Sequence, residues 1–290
     1  MERRITDEHL PGTYQSADKT AKNAQKKYFI YQFCYSLVLI SAAIVAYFWP
    51  ENSFAAIISA LLFLFTLVII AALQIEKPDN LWYNARAIAE SVKSNAWRWM
   101  MKSDPYSRDI EHSKKVFLDE LAKIYNDYEQ IFAYTTPDTF DNVPISEMMK
   151  DIRNMNFEHR LQVYLDQRID DQLKWYIHKS KKNEKNSKIF YFCSFILHAI
   201  AIILLFYRIQ NPISLPVEIV VTCASAVLTW GQSKKFKDLN AVYLLAANEM
   251  SIIKAEADEI NSNEALSAFV LKSENAFTRE RMTFLSRKRI

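Results

Sequence analysis

The sequence predicts an all-α integral membrane protein, with four transmembrane helices in two hairpins plus a cytoplasmic helical bundle. Three observations predict it. The apolar residues are concentrated in four runs, 28–49, 54–75, 189–207 and 213–230, and the segments around them are charged. The chain has only two glycines, Gly12 and Gly231, and its remaining segments follow helical spacing. Lysine and arginine flank the runs on one side only.

A helix rises about 1.5 Å per residue, so roughly 20 apolar residues cross a ~30 Å hydrocarbon core. Runs 28–49 and 54–75 meet that length, and Pro50, Glu51, Asn52 and Ser53 alone separate them, which forces an antiparallel hairpin. Run 189–207 is slightly shorter and carries His198; run 213–230 carries Glu218, and 208–212 joins the two. Lys19, Lys22, Lys26 and Lys27 precede the first run, and Lys77, Arg86, Lys93, Arg98 and Lys102 follow the second. Lys179, Lys181, Lys182, Lys185 and Lys188 precede the third, and Lys234, Lys235 and Lys237 follow the fourth. The hairpin turns hold one basic residue between them, Arg208. Basic flanks stay inside, so the chain is expected to be multi-pass, with both termini cytoplasmic. Tyr28, Tyr47, Trp49, Trp82, Tyr207 and Trp230 sit at run ends as an interfacial belt.

The polar segments read as helices over 81–101 and 107–134, a proline-containing loop over 135–144, and helices over 145–188, 233–257 and 265–286. Asp104–Pro105 breaks the first pair and 261–263 the last. Asn23 and Asn183 stand before the first and third runs, and Tyr83 and Tyr243 after the second and fourth. A common offset relates both pairs, so the chain reads as a duplicated two-span unit in parallel orientation. The halves are taken as residues 1–144 (spans 28–49 and 54–75) and 145–290 (spans 189–207 and 213–230).

Several chemistries are disfavoured. A net charge of +3 is too small to argue for nucleic acid. Cys34, Cys193 and Cys223 each lie inside an apolar run, without metal-ligand or disulfide spacing. Two glycines cannot build a glycine-rich phosphate loop. His112, His159 and His178 lack metal spacing, and the acids of 166–171 and 256–259 read as solvated faces or ion pairs. No nucleophile has a recognisable base, so no catalytic residue, metal or cofactor is expected and the chain is not read as an enzyme. The polar start, MERRITDEHL, is not expected to be a cleavable signal.

Within the apolar runs, Glu218, Thr222, Ser225 and Thr229 are four, three and four residues apart, on one helix face. A polar stripe in lipid faces protein or water. Either it lines a pore formed by assembled protomers, with His198 a second candidate lining residue, or its hydroxyls bond to neighbouring helices or their own backbone while Glu218 reaches the interface or pairs with Arg208. His198 equally reads as a neutral imidazole bonded to another helix.

Two sets of motifs resemble a known family. The first is LPGTYQSADKTAKNAQKKYF with LWYNARAIAESVKSNAWRWMMKSDPY, where Arg86, Ala89, Glu90, Lys93, Trp97, Arg98 and Trp99 carry the pattern. The second is YLDQRIDDQLKWYIHKSKKNEKNS, through Arg168, Asp171, Gln172, Trp175, Tyr176, Lys179 and Asn183, followed by SENAFTRERMTFLSRK. The chain resembles tandem SLATT domains, the SMODS- and SLOG-associating two-transmembrane effectors of bacterial conflict systems. It departs from the family at Phe284, where tryptophan is frequent. The resemblance implies an oligomeric pore-forming effector that permeabilises the inner membrane in anti-phage defence by abortive infection, with a sensor or nucleotide second-messenger system as partner. The residues alone leave two alternatives open: a regulated ion channel or transporter of ordinary physiology, and a non-conducting membrane anchor that recruits a cytoplasmic partner.

Overall fold

The computed structural model describes residues 4–134, 143–211 and 213–286, with side chains as far as Thr278. Among the described residues there is no strand. The helices are α1 (Gly12–Phe48), α2 (Ser53–Glu76), α3 (Pro78–Met100), α4 (Ile110–Asp127), α5 (Glu129–Phe132), α6 (Glu147–Arg153), α7 (Phe157–Tyr164), α8 (Asp171–Gln210), α9 (Val217–Lys234), α10 (Phe236–Ala255) and α11 (Asn263–Ser286). A π-helical segment, Leu165–Asp170, lies between α7 and α8. The chain divides into two compact units. The first comprises Met1–Ala24, Asp79–Lys179 and Ala241–Ile290; the second comprises Gln25–Pro78 and Ser180–Asn240.

The second unit is built inside out by the standards of a water-soluble bundle. Most of its buried residues are small or hydroxylic, among them Ala42, Ala55, Ser59, Thr66, Ser194, Ala201 and Ala224, with Ile69, Val217 and Asn183 besides. Its large apolar side chains point outward; Phe54 and Phe195 are each 70% exposed, and Leu61, Leu67, Phe192 and Ile203 also face out. Small residues let helix backbones approach closely. Ser36 Oγ donates to the Gln32 carbonyl at 3.0 Å and Thr66 Oγ1 to the Phe63 carbonyl at 2.7 Å.

Contacts at the two ends set helix direction within this unit. At one end Phe29 of α1 packs on Trp230 of α9 with ring centroids 5.9 Å apart, and Lys27 of α1 pairs with Glu76 of α2 at 2.7 Å. At the other end the Tyr47 hydroxyl of α1 donates to the Ser214 carbonyl, just before α9, at 3.0 Å. The start of α1 therefore meets the end of α9, and the end of α1 meets the start of α9. The two helices are antiparallel, and the α1–α2 and α8–α9 turns lie at the same end of the unit.

The first unit has the opposite logic. Trp97, Trp99, Tyr106, Phe117, Tyr164 and Phe277 are fully or almost fully buried among Ile88, Val92, Met149 and Val270. Each buried aromatic removes about 150–250 Å² from water. Inside this core sits an ion pair: Arg168 Nε and Nη2 donate to the two oxygens of Glu274 at 2.8 and 2.7 Å. The Tyr164 hydroxyl adds a third bond to Glu274 at 3.1 Å, and the guanidinium lies 4.5 Å from the Phe277 ring centroid.

The structure corrects four expected boundaries. The helix expected over 145–188 is interrupted at Asn154–Asn156, because the Asn156 side chain accepts from the His159 N–H and caps a new helix. The stretch 107–134 is broken at Tyr128. The span expected at 213–230 becomes helical only at Val217, after Pro216. The helix expected over 233–257 breaks at Lys235, whose φ of 49° is left-handed. Lys77, between α2 and α3, has φ 43°, so both halves turn after their second helix through a left-handed lysine. Positions 135–142 of the expected loop lie outside the described residues.

Replacing Arg168 with Met strands a buried carboxylate and is expected to destabilise the first unit by about 3–5 kcal/mol, whereas adding Glu274→Leu should recover most of that loss. Denaturant titration of the detergent-solubilised protein reads both; a double variant as unstable as the single one would show that charge pairing is not what the site requires.

Candidate functional site

The stripe residues all lie on α9. Glu218 is exposed and pairs with Arg208 at 3.0 Å. The Thr222 hydroxyl donates to the Glu218 carbonyl at 2.7 Å, bonding back along its own helix. Ser225 and Thr229 are exposed on the same face. His198 lies on α8, and its Nδ1 is 2.7 Å from the Ser194 carbonyl. Its ring is exposed and bonds within its own helix.

The first unit holds a polar cavity of about 170 Å³ lined by Arg4, Asp7, Lys93, Gln167, Arg168 and Asp171. The segment before α1 closes over it. Arg4 pairs with Asp171 at 2.8 Å, Lys93 with Asp7 at 3.2 Å, and the Ile5 N–H donates to Gln167 Oε1 at 2.8 Å. Ser146 Oγ donates to the His9 carbonyl at 2.7 Å and ties the same segment to the start of α6. Burial pushes the Asp7 carboxyl up, but the Lys93 ammonium and the Tyr14 hydroxyl outweigh it and hold it below its ordinary value. The Tyr14 hydroxyl is pushed well up, by burial first and then by the Asp7 charge.

The residues that carry the family resemblance build this unit. Arg86 bridges Asp18 of α1 at 2.9 Å and Glu90 at 2.6 Å. Burial works against its charge, but the Glu90 and Asp18 carboxylates raise its pKa above the ordinary value, Glu90 contributing most. Trp97 and Trp99 fill the core at the end of α3. That helix ends in a Schellman turn: Ser103 N–H reaches the Arg98 carbonyl at 2.9 Å, Lys102 N–H reaches the Trp99 carbonyl at 3.2 Å, and Lys102 takes φ 55°.

Buried arginines cover the carbonyls beyond that turn. Arg153 donates to the Trp99 carbonyl, to those of Tyr106 and Arg108 at 2.9 and 3.0 Å, and to Ser113 Oγ at 3.0 Å. Arg160 donates to the Met101 carbonyl at 2.8 Å and to Asn263 Oδ1. Cations at a helix C-terminus complement its dipole. Burial, then the Arg160 charge, pull Arg153 down to about 10, so it stays charged at neutral pH. Trp175 packs on Tyr243 with centroids 5.1 Å apart.

Sequence reasoning missed the buried Arg168–Glu274 pair and the Arg153 clamp. Both join residues far apart in the chain, and a single sequence carries no signal for either.

Among the described residues three helical stretches, Gly12–Phe48, Ser53–Met100 and Phe157–Gln210, are long and apolar enough to cross a membrane. The stretch containing α9 is not among them, and it carries Glu218 and Lys234 near its two ends. The outward apolar faces and paired hairpins define an α-helical membrane protein. Residues 11–161 match the family model described as SMODS and SLOG-associating 2TM effector domain 3, and residues 164–283 match SMODS and SLOG-associating 2TM effector domain 1. The chain belongs to this family, as two SLATT domains in tandem, and is a membrane effector of conflict systems. No curated protein and no solved structure matches it.

Asp7 predicts a pH response. Its folded pKa lies below the ordinary 3.8, so its contribution is complete above that value and is lost as pH falls through the lowered one. Hydrogen exchange of residues 4–10 should stay slow down to about pH 4 and speed up in stronger acid; Asp7→Asn should speed it already at neutral pH. Unchanged exchange in the variant would remove the ion pair from the account.

Proposed function

We propose that the chain crosses the bacterial inner membrane four times, with both termini cytoplasmic, and assembles into a homo-oligomer that permeabilises the membrane. The observation that carries the reading is the second unit: apolar residues outward, small residues inward, and both hairpin turns at one end. A contiguous exposed apolar surface of that extent is not sustained in water. Helices that satisfy their own backbone groups suit lipid.

The direction of α1 and α9 supports a fourth span although α9 is the least apolar. Its Glu218 lies beside Arg208 at the turn end and its Lys234 near Phe29 at the opposite end, so both charges belong to interfaces. Four helices enclose no wide channel, so a pore needs several copies, with Glu218, Thr222, Ser225 and Thr229 of each lining it and His198 nearby. The halves 1–144 and 145–290 serve as two hairpin modules, and the basic flanks keep the polar helices cytoplasmic. The family supports a role in abortive infection, in which a sensor or nucleotide messenger triggers opening. No step of this function calls for catalysis.

A second reading has specific support. Glu218 is paired and Thr222 bonds to its own backbone, as in a non-conducting anchor whose polar helices recruit a partner.

Induced expression of an activated form should collapse membrane potential within minutes and admit small dyes. In planar bilayers the purified protein should conduct, and Glu218→Gln should lower cation selectivity severalfold. Toxicity with potential and dye exclusion intact would overturn the pore and favour the anchor.

A further inference from the structure

Gly231 is one of two glycines in the chain, and it sits inside α9. Within a helix glycine is unfavourable relative to alanine, and Gly231 stands in the last turn of α9. Nothing in the backbone calls for it, because its φ is not positive. Nothing in the packing forbids a side chain either: an added Cβ would meet Phe190 Cβ at 3.6 Å, an ordinary contact. What the missing side chain does is leave open one wall of a cavity.

That cavity, about 260 Å³, lies between α8 and the α9–α10 turn within the second unit. Phe190, Val227 and Leu228 give it apolar walls. Phe190 also packs on Phe236 with ring centroids 5.3 Å apart, which closes one side. Its polar rim carries Lys235 and Lys237, with Asp238 as the single carboxylate. Lys235 is set there by the left-handed turn between α9 and α10. The neighbouring Lys234 is engaged elsewhere, 3.2 Å from the Phe29 ring centroid. The cavity is smaller than the roughly 300–1,000 Å³ of sites for drug-sized ligands. It suits a length of hydrocarbon chain, with an anion at the lysine rim.

We propose that this cavity binds one anionic phospholipid, an acyl chain along Phe190, Val227 and Leu228 and the phosphate at Lys235 and Lys237. The proposal rests on the membrane reading above, which places the basic end of this unit at the cytoplasmic interface. There, lysines beside a hydrophobic slot meet anionic headgroups. The occupant is a lipid rather than a soluble phosphate, because the walls below the lysines are apolar and need a chain to fill them.

Native mass spectrometry of the full-length detergent-extracted protein tests it, with phosphatidylglycerol and phosphatidylcholine as probes. The wild type should retain one phosphatidylglycerol per chain and far less phosphatidylcholine. Gly231→Trp fills the slot and should weaken retention roughly tenfold or more, and Lys235→Gln with Lys237→Gln should abolish the preference for the anionic lipid by a similar factor. Gly231→Trp retaining phosphatidylglycerol as the wild type does, or equal binding of both lipids by the wild type, overturns the site. Alkaline carbonate extraction separates the two failures. A chain that stays in the membrane pellet while Gly231→Trp binds normally refutes the lipid site alone; a chain that washes off refutes the membrane reading beneath it.

Discussion

A backbone that leaves water must satisfy its own hydrogen bonds, and the second unit is organised by that constraint. Helices meet it residue by residue, so α1, α2, α8 and α9 need no sheet partner. With apolar residues free to face a hydrocarbon solvent, burial no longer drives the helices together. Close packing takes over, which explains Ala42, Ala55, Ser59, Thr66, Ala201 and Ala224 on the inward faces. The aromatic and polar contacts at the ends, Phe29 on Trp230 and Tyr47 on Ser214, then align the two hairpins.

The first unit is ordered by water. Trp97 and Trp99 are inside, Arg153 and Arg160 are buried against backbone carbonyls, and the fully buried Arg168–Glu274 pair is held by three hydrogen bonds and an aromatic face. Such a pair adds little net stability over an apolar replacement, but it is costly to half-remove. Burial pushes the Arg168 guanidinium down, and the Glu274 carboxylate and its hydrogen bonds more than reverse that, so the guanidinium stays charged. The family motif residues Arg86, Trp97, Arg98, Trp99, Arg168 and Trp175 belong to this unit, where the contacts of each are structural. The motif thus marks an architecture.

Much of this was legible in the sequence, for physical reasons. Long apolar runs and one-sided basic flanks are local signals; α1 is helical over 28–48 of its apolar run, and α2 and α8 are helical throughout theirs. The Glu218–Arg208 pair and the backbone bond of Thr222 also follow from spacing. The breaks were less visible. Left-handed helix ends are read from glycine or asparagine, but among the described residues the three such positions are lysines, Lys77, Lys102 and Lys235. The π-helical segment at Leu165–Asp170 keeps helical spacing on either side and leaves no trace in the pattern. Arg168 and Glu274 are 106 residues apart, and nothing near either one names the other. The stripe on α9 was found as a face, but its use depends on neighbours that one chain does not supply.

The account as a whole depends on two hairpins crossing the membrane in the same direction. Cys34, Cys193 and Cys223 can be replaced by serine and single cysteines placed at Glu51, Asn211, Lys123 and Lys150. The measurement is labelling of intact spheroplasts with a membrane-impermeant maleimide. The account predicts that positions 51 and 211 label in intact cells and that 123 and 150 label only after permeabilisation. Labelling of 51 and 211 from opposite sides would contradict it, because the two turns that share one end of the unit would then have to lie on different sides of the bilayer.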